Sequence, residues 1–281
     1  MKLKFIFIAA MFALLSSVLA AEDNFEKLLE SYKNVTSESL LAEREQKQSA
    51  VISKETFLDG AMVAIPGKSY SILKTEVTQE LYKLVMGGNP SKFNGEENLP
   101  VENVSWYDAV VFCNKLSVMD GFAPVYSVSG KTDVSEWYYV PHKGNSISKE
   151  IECNETANGY RLPTVEEWQY AAKGGQEFKY SGSENLDEVG WYDGNSGEET
   201  HSVAQKSPNG YGLYDLSGNV WEWCWDSGNS SKRYNCGGSW YGNASKCEVG
   251  DLYWYSANRR SLADYGDDDL GFRIVRSSSK K

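Results

Sequence analysis

The chain has 281 residues and carries 39 Asp and Glu against 28 Lys and Arg, a formal net charge of −11 at pH 7. This acidic balance disfavours binding to nucleic acids or to an anionic membrane surface, because both need a basic footprint. The 9 Trp, 18 Tyr and 25 Gly indicate a folded, aromatic-rich domain with many turns.

The N-terminus has the features of a cleavable signal peptide over residues 1–20. Lys2 and Lys4 make it basic, Phe5–Leu15 is apolar, and Val18–Ala20 fits a small-residue cleavage site. The apolar run is too short to span a bilayer, and no other stretch is long and apolar enough to do so. We therefore expect a protein that is secreted, periplasmic or exposed at the cell-envelope surface, with no transmembrane segment in the mature chain.

Residues 21–58 differ in composition from the rest of the chain, since they are charged and contain neither Gly nor Trp. Apolar residues recur there at helical spacing, at Phe25, Leu28, Leu29 and Tyr32. This pattern predicts an N-terminal helical extension or tether, and a disordered stalk is the alternative. The folded domain is expected over residues 59–276, followed by a solvated tail at 277–281.

Capping residues mark three helix starts within this domain. They predict helices after Thr78 through Met86, after Ser105 over Trp106–Met119, and after Thr164 as far as Gly174. Met62–Tyr70 has the pattern of a strand, and Ser127–Asn158 is expected to contain a hairpin or a surface loop.

The five cysteines are odd in number, so at least one thiol is free or pairs with another molecule. Cys113 lies in an apolar helical pattern and is predicted to be a buried thiol. The sequence leaves open every pairing among the other four, which are Cys153, Cys224, Cys236 and Cys247.

Gly212–Asp226 reads GLYDLSGNVWEWCWD and combines a turn with two carboxylates. Gly218 permits a tight turn that could aim Asp215, Glu222 and the intervening carbonyls at one point. Oxygen ligands at this spacing suit calcium better than zinc. The alternative is a strand that places its tryptophans on one face and Glu222 on the other.

Trp240–Asp269 is dense in Tyr, Trp, Ser, Gly, Asn and Asp, and follows neither a strand nor a helix period. This composition is typical of a recognition surface. Three adjacent aromatics, Tyr253–Tyr255, cannot all point inward from one extended segment. The candidate ligand-binding residues are Trp240, Tyr241, Asn243, Asp251, Tyr253, Trp254, Tyr255, Arg259, Arg260 and Tyr265. A protein ligand outside the cell is favoured over a sugar, because the Glu/Gln-Pro-Asn/Asp calcium loop of sugar-binding lectins is absent.

Three motifs resemble the formylglycine-generating enzyme family, also called sulfatase-modifying factors. They are GYRLPTVEEWQYAA (Gly159–Ala172), the stretch around WEW, and GGSW…LGFR (Gly237–Arg273). The resemblance extends from about Met62 to Arg276, in the family's motif order. It implies an α+β fold, the irregular C-type lectin-like fold of the formylglycine-generating enzyme type, with little regular secondary structure.

The family's oxidation of a substrate cysteine to formylglycine uses two cysteines that bind copper, downstream of GGS. After Ser239, the corresponding positions here are Gly242 and Cys247. One thiolate is missing, and a single one is a poor site for Cu(I). We therefore expect neither copper nor catalysis; if the protein were an enzyme, Cys247 and Ser239 would be its catalytic residues.

The family's calcium site matches this chain better. By resemblance, its ligands are the side chains of Asp215 and Glu222 and the carbonyls of Gly218 and Val220. The implied ion is structural.

Trp240–Asp269 is also similar to the variable region of retroelement-diversified proteins, which share the lectin-like fold and the GGSW…LGFR frame. Three hypotheses follow: a calcium-stabilised binding protein, an oxidase or divergent oxidoreductase that uses Cys247, and an envelope protein assembled by its N-terminal helices. Gly242 favours the first over the second.

Overall fold

The computed structural model describes the chain from the end of the predicted N-terminal extension almost to its last residues. It covers residues 58, 60–96, 98–143, 146–229, 232–257, 259 and 268–278. The predicted signal peptide and most of the predicted extension lie outside the described residues. Leu58, at the predicted boundary of the domain, is buried in the hydrophobic core.

The three helices predicted from their caps are confirmed. They are α1 (Gln79–Met86), capped by Thr78, α2 (Trp106–Met119), with the Ser105–Asp108 capping box, and α3 (Val165–Lys173), with the Thr164–Glu167 box. A further short helix, α4, spans Leu186–Val189. No helix within the described ranges is both long and apolar enough to cross a membrane.

The first sheet brings both ends of the domain together. Its strands, in spatial order, are β1 (Met62–Ala64), β2 (Tyr70–Leu73), β10 (Val275–Ser277) and β5 (Tyr160–Arg161). The single strand expected over Met62–Tyr70 is wrong: Pro66 and Gly67 lie between two antiparallel strands, and Gly67 has a φ of 75°. The positive φ allows the chain to reverse there.

A separate hairpin-like pair confirms the expectation for Ser127–Asn158. β3 (Tyr126–Val128) runs antiparallel to β4 (Ile151–Cys153), and a 3₁₀ turn at Val134–Trp137 lies between them.

The last sheet contains the WEW motif, and GGSW directly follows one of its strands. Its strands, in spatial order, are β8 (Leu252–Ser256), β7 (Lys232–Cys236), β6 (Trp221–Asn229) and β9 (Leu270–Gly271). β9 is parallel to β6, and the other pairs are antiparallel. The absence of a strand period in Trp240–Asp269 was therefore misleading, since this segment contains β8 and a 3₁₀ turn at Ala244–Cys247.

Aromatic side chains form much of the core between helices and sheets. Trp106, Trp168 and Trp223 are fully buried. Cys113 is fully buried in α2, which confirms its prediction. Cys224 and Cys236 face each other across β6 and β7, with their Sγ atoms 3.6 Å apart.

Candidate functional site

The predicted recognition surface contains an edge strand. β8 pairs antiparallel with β7 along its whole length, and within the described part of the chain no strand pairs with its other side. Tyr253 is 42% and Trp254 47% exposed, and Tyr255 is half-buried, as expected for adjacent aromatics on an extended segment. These three residues are called the aromatic edge.

The aromatic edge uses both faces of the sheet. Successive strand residues point to opposite faces, so Tyr253 and Tyr255 share one face and Trp254 points to the other. On the first face, the Tyr253 ring lies 6.0 Å from Trp221 and the Tyr255 ring 6.5 Å from Trp223. The rings of Tyr253 and Trp254 still stack, 6.2 Å apart at an interplanar angle of 17°. The rings therefore lie on both sides of the sheet edge.

Cations accompany the rings of the aromatic edge. Lys232 Nζ lies 3.3 Å from the Trp254 ring centroid, Arg259 Cζ 3.6 Å from that of Tyr255, and Lys246 Nζ 5.7 Å from that of Tyr253. Such contacts are worth about 0.5–2 kcal/mol each, depending on exposure. The edge therefore carries positive charge on a protein that is acidic overall.

The two aromatics after the GGS motif differ in exposure. Trp240 is 6% exposed, its Nε1 donates to the Asp268 carbonyl at 3.0 Å, and its ring meets that of Phe93 edge-on at 5.3 Å. Tyr241 is 69% exposed. The expectation that Trp240 is a surface residue is wrong, because segments remote in sequence close over it.

The remaining predicted ligand-binding residues are polar. Asn243 is exposed, and its Oδ1 accepts from the Ser245 hydroxyl at 2.7 Å. The Asp251 carboxylate lies 3.3 Å from the Lys246 ammonium. Two predicted residues, Arg260 and Tyr265, lie outside the described residues.

Two residues that the sequence analysis missed lie on the same sheet face as Tyr253 and Tyr255. β7 places Arg233 opposite Tyr255 and Asn235 opposite Tyr253. Asn235 also lies opposite Trp223 on β6 and is fully buried. The alternation of polar and apolar residues in RYNC was the sequence signal for these two residues. It indicates a shared site only once the register of β6, β7 and β8 is known.

The predicted calcium ligands lie in the turn before β6. Asp215 has a φ of 58° and Gly218 a φ of 95°. A Cβ at Gly218 would lie 2.1 Å from the Trp191 carbonyl oxygen, so this position requires glycine. Asp215 is buried; its Oδ2 accepts from the Ala204 N–H at 2.7 Å, and its Oδ1 has no hydrogen-bond partner among the described residues. Burial raises the pKa of Asp215 to about 6.

Glu222 has its charge balanced by Arg273. Arg273 Nε donates to Oε2 and Nη2 to Oε1, both at 2.6 Å, and Trp168 Nε1 also donates to Oε2 at 2.6 Å. Both members of the ion pair are fully buried. Because β6 is a strand, the side chains of Trp221 and Trp223 point to the face opposite Glu222. The alternative interpretation of this stretch as a strand is therefore correct for the residues from Trp221 onward.

Some of these residues fit a calcium ion and others do not. Glu76, Asp215 and Glu222 form a buried, electrostatically coupled cluster with Arg273, and burial, then the charges of the other two carboxylates, raises the pKa of Glu76. The excess negative charge and the unpartnered Asp215 oxygen fit a cation, whereas Glu222 is already neutralised. No three His, Cys, Asp or Glu side chains of the described residues are arranged to hold a metal. The predicted ion would therefore depend on Asp215 and the turn carbonyls.

The geometry around GGS gives no support to thiol chemistry. Gly242 has no side chain to offer, and Cys247 is fully buried. Burial raises the pKa of Cys247 to about 12, so the thiol stays protonated at neutral pH and is a poor nucleophile or metal ligand. The Ser239 hydroxyl donates to Asp269 Oδ2 at 2.7 Å and is buried.

The fold and these motifs define a class of α+β, C-type lectin-like proteins with short, irregular elements. The solved structure of Treponema denticola variable protein 1 is 36% identical, with a TM-score of 0.66, and the match covers 77% of this chain and 91% of that one. A family model, the sulfatase-modifying factor enzyme 1-like domain, matches residues 42–278. The chain belongs to the sulfatase-modifying factor family.

Curated relatives include a chaperone, an enzyme and an inactive homologue. Chaperone protein LppX of Paenibacillus barcinonensis is 39% identical over 234 residues, covering 74% of this chain and 80% of LppX. The formylglycine-generating enzyme of Streptomyces coelicolor is 33% identical over 152 residues, 43% of this chain and 48% of the enzyme. The inactive Cα-formylglycine-generating enzyme 2 of Bos taurus is 32% identical over 146 residues, 43% of this chain and 46% of that protein. Similarity to the enzyme and to its inactive homologue is thus nearly equal and does not itself argue for activity.

Proposed function

We propose that this protein is a secreted or surface-exposed binding protein whose aromatic edge, with Tyr241 and the surrounding cations, recognises a protein ligand. The observation that carries the proposal is the exposure of Tyr253 and Trp254 at adjacent positions of an edge strand. Tyr, Trp and Arg are the residue types that contribute most to binding energy at interfaces. The strand fixes the backbone that carries these rings, so little backbone freedom is lost on binding.

The relatives support this proposal through their names. One solved structure of similar fold is a variable protein, and one curated relative is a chaperone, a name that supports a polypeptide ligand here. The basic and apolar residues 1–20 support export of the chain.

The test is a screen of the purified protein against a displayed peptide library and a glycan array. We expect peptides to be enriched and glycans not. Trp254→Ala should weaken the enriched peptides by about 2 kcal/mol or more, the range of an interface hot spot. Tyr138, 95% exposed on another element, supplies the control, and Tyr138→Ala should bind as wild type does. Unchanged affinity in Trp254→Ala, or enrichment of glycans alone, would refute the proposal.

A structural calcium ion is a second part of the proposal. Asp215 Oδ1 and the carbonyls of Gly218 and Val220 are its proposed ligands, supported by the buried, unpartnered oxygen within the described part of the turn. Glu222 joins them only if its ion pair with Arg273 opens.

A further inference from the structure

β7 carries two side chains with buried polar atoms that have no hydrogen-bond partner among the described residues. Arg233 and Asn235 are two positions apart on the strand, so they point to the same face of the sheet, about 7 Å from each other. That face is the one that displays Tyr253 and Tyr255.

Asn235 is the more unusual of the two. It is fully buried, and neither its Oδ1 nor its Nδ2 has a hydrogen-bond partner within the residues that the structure describes. Trp223 and Tyr253 lie directly opposite it on the two neighbouring strands. A carboxamide buried among aromatic side chains without hydrogen bonds destabilises a fold, where an apolar residue of similar size would not. A ligand that satisfies the amide would explain why it is there.

Arg233 stacks on aromatic rings and forms no salt bridge with any described residue. Its Cζ lies 4.2 Å from the centroid of the Trp106 ring and 6.0 Å from that of Trp225. Its Nε is buried without a hydrogen-bond partner among the described residues. Burial lowers the pKa of Arg233 and outweighs the opposing charges of Tyr107 and Asp226.

We propose that Arg233 and Asn235 together bind a carboxylate of the polypeptide ligand, on the sheet face beneath the tyrosines of the aromatic edge. This inference rests on the proposed function and names the chemistry that the site recognises. The planar guanidinium presents paired N–H donors that match the two oxygens of a carboxylate. Asn235 Nδ2 donates to the same group, and its Oδ1 accepts from a backbone N–H of the ligand.

Both side chains are within reach of a ligand. Arg233 is half-buried, so part of its side chain is exposed to solvent. Asn235 is fully buried and lies opposite Tyr253, which is 42% exposed. The proposal requires the Tyr253 ring to turn outward about its side-chain bonds while the strand stays in place.

The test is an NMR titration that follows the side-chain N–H signals of Arg233 and Asn235 in the purified protein. The probes are three short peptides that differ at one group: an internal Glu with an amidated C-terminus, Gln in its place with the same amide, and that Gln peptide with a free C-terminus. The first and third separate an acidic side chain from a chain end as the source of the carboxylate. Inorganic phosphate is the fourth probe.

We expect a carboxylate peptide to shift both signals and to bind at least about tenfold more tightly than the amidated Gln peptide, because hydrogen bonds to charged groups are among the strong ones. Arg233→Gln should abolish this preference, and Arg233→Lys should restore only part of it. The matched control is Arg276→Gln, since Arg276 stacks in the same way, 4.3 Å from Phe122 and 5.9 Å from Tyr160. It should bind as wild type does.

Asn235→Leu distinguishes a ligand-binding role of Asn235 from a purely structural one. It should raise the melting temperature, because it removes the unsatisfied amide, and at the same time weaken the carboxylate peptide. Equal binding of all three peptides, no shift of either signal, tighter binding of phosphate, or full affinity in Asn235→Leu would each overturn the inference. If Trp254→Ala loses the ligand while Arg233→Gln keeps it, the carboxylate site is refuted and the proposed function stands.

Discussion

Side chains of one type have opposite roles in this protein, depending on what closes over them. Trp240 and Trp254 belong to the same aromatic-rich window, yet Phe93 and Asp268 cover the first, whereas the second stands at the sheet edge. Nothing in their local sequence distinguishes the two tryptophans. Replacing each by alanine should distinguish them by the loss of protein stability.

Trp240→Ala should lower the free energy of unfolding by about 3–5 kcal/mol, since it leaves a cavity in a packed site. Trp254→Ala should cost less than about 1 kcal/mol, because its ring is nearly half exposed. Urea denaturation of the two variants measures both values. Equal losses would mean that the aromatic edge is part of the core.

Cys247 gives a second prediction at this scale. The purified protein should not convert a sulfatase-type cysteine peptide to formylglycine, with or without copper, because Gly242 lacks a thiol and the Cys247 thiol stays protonated. Mass spectrometry of the peptide detects the aldehyde. An aldehyde product that disappears in Cys247→Ser would contradict the prediction.

Helices that begin at a capping residue could be located from the sequence, whereas strands that are recognised only by their pairing with a neighbour could not. α1, α2 and α3 begin at caps that each depend on residues three positions apart, so the sequence alone located them. β8 has exposed residues on both faces and shows no alternation, so its strand character appears only when β7 is beside it. For the same reason Arg233 and Asn235 escaped notice, since their site exists only in the register of β6, β7 and β8.

The turn before β6 makes stability depend on pH. Asp215 has a pKa of about 6 in the folded state and about 4 when unfolded, so the folded state keeps a proton that the unfolded state releases between these values. This contribution favours folding most below about pH 4, falls as pH rises to about 6, and is constant above.

Asp215→Asn, which mimics the protonated form, should remove this fall. The measurement is the free energy of unfolding of variant minus wild type at intervals from pH 4 to 7, without metal. The free energy of unfolding of the Asn variant, relative to wild type, should increase from pH 4 to pH 6. A difference that does not change with pH would show that Asp215 titrates normally.

At the scale of the whole molecule, a bound ion would hold the folded state by mass action. At 100 times its dissociation constant, calcium would stabilise the fold by about 2.7 kcal/mol. EDTA should therefore lower the melting temperature of wild type and hardly change that of Asp215→Ala.

The contrary result is equally informative. If EDTA has no effect on wild type, and elemental analysis of the dialysed protein finds no calcium, the Glu222–Arg273 ion pair holds this turn without a metal.

The position of β10 has a consequence for the order of folding. This strand, at Val275–Ser277, lies between β2 and β5, so the centre of the first sheet comes from the end of the domain. Arg273, just before it, is the partner that neutralises Glu222. A nascent chain that stops short of residue 273 has neither the central strand nor the guanidinium, and it cannot close its core. The first sheet therefore cannot complete its folding until the C-terminal residues are synthesised.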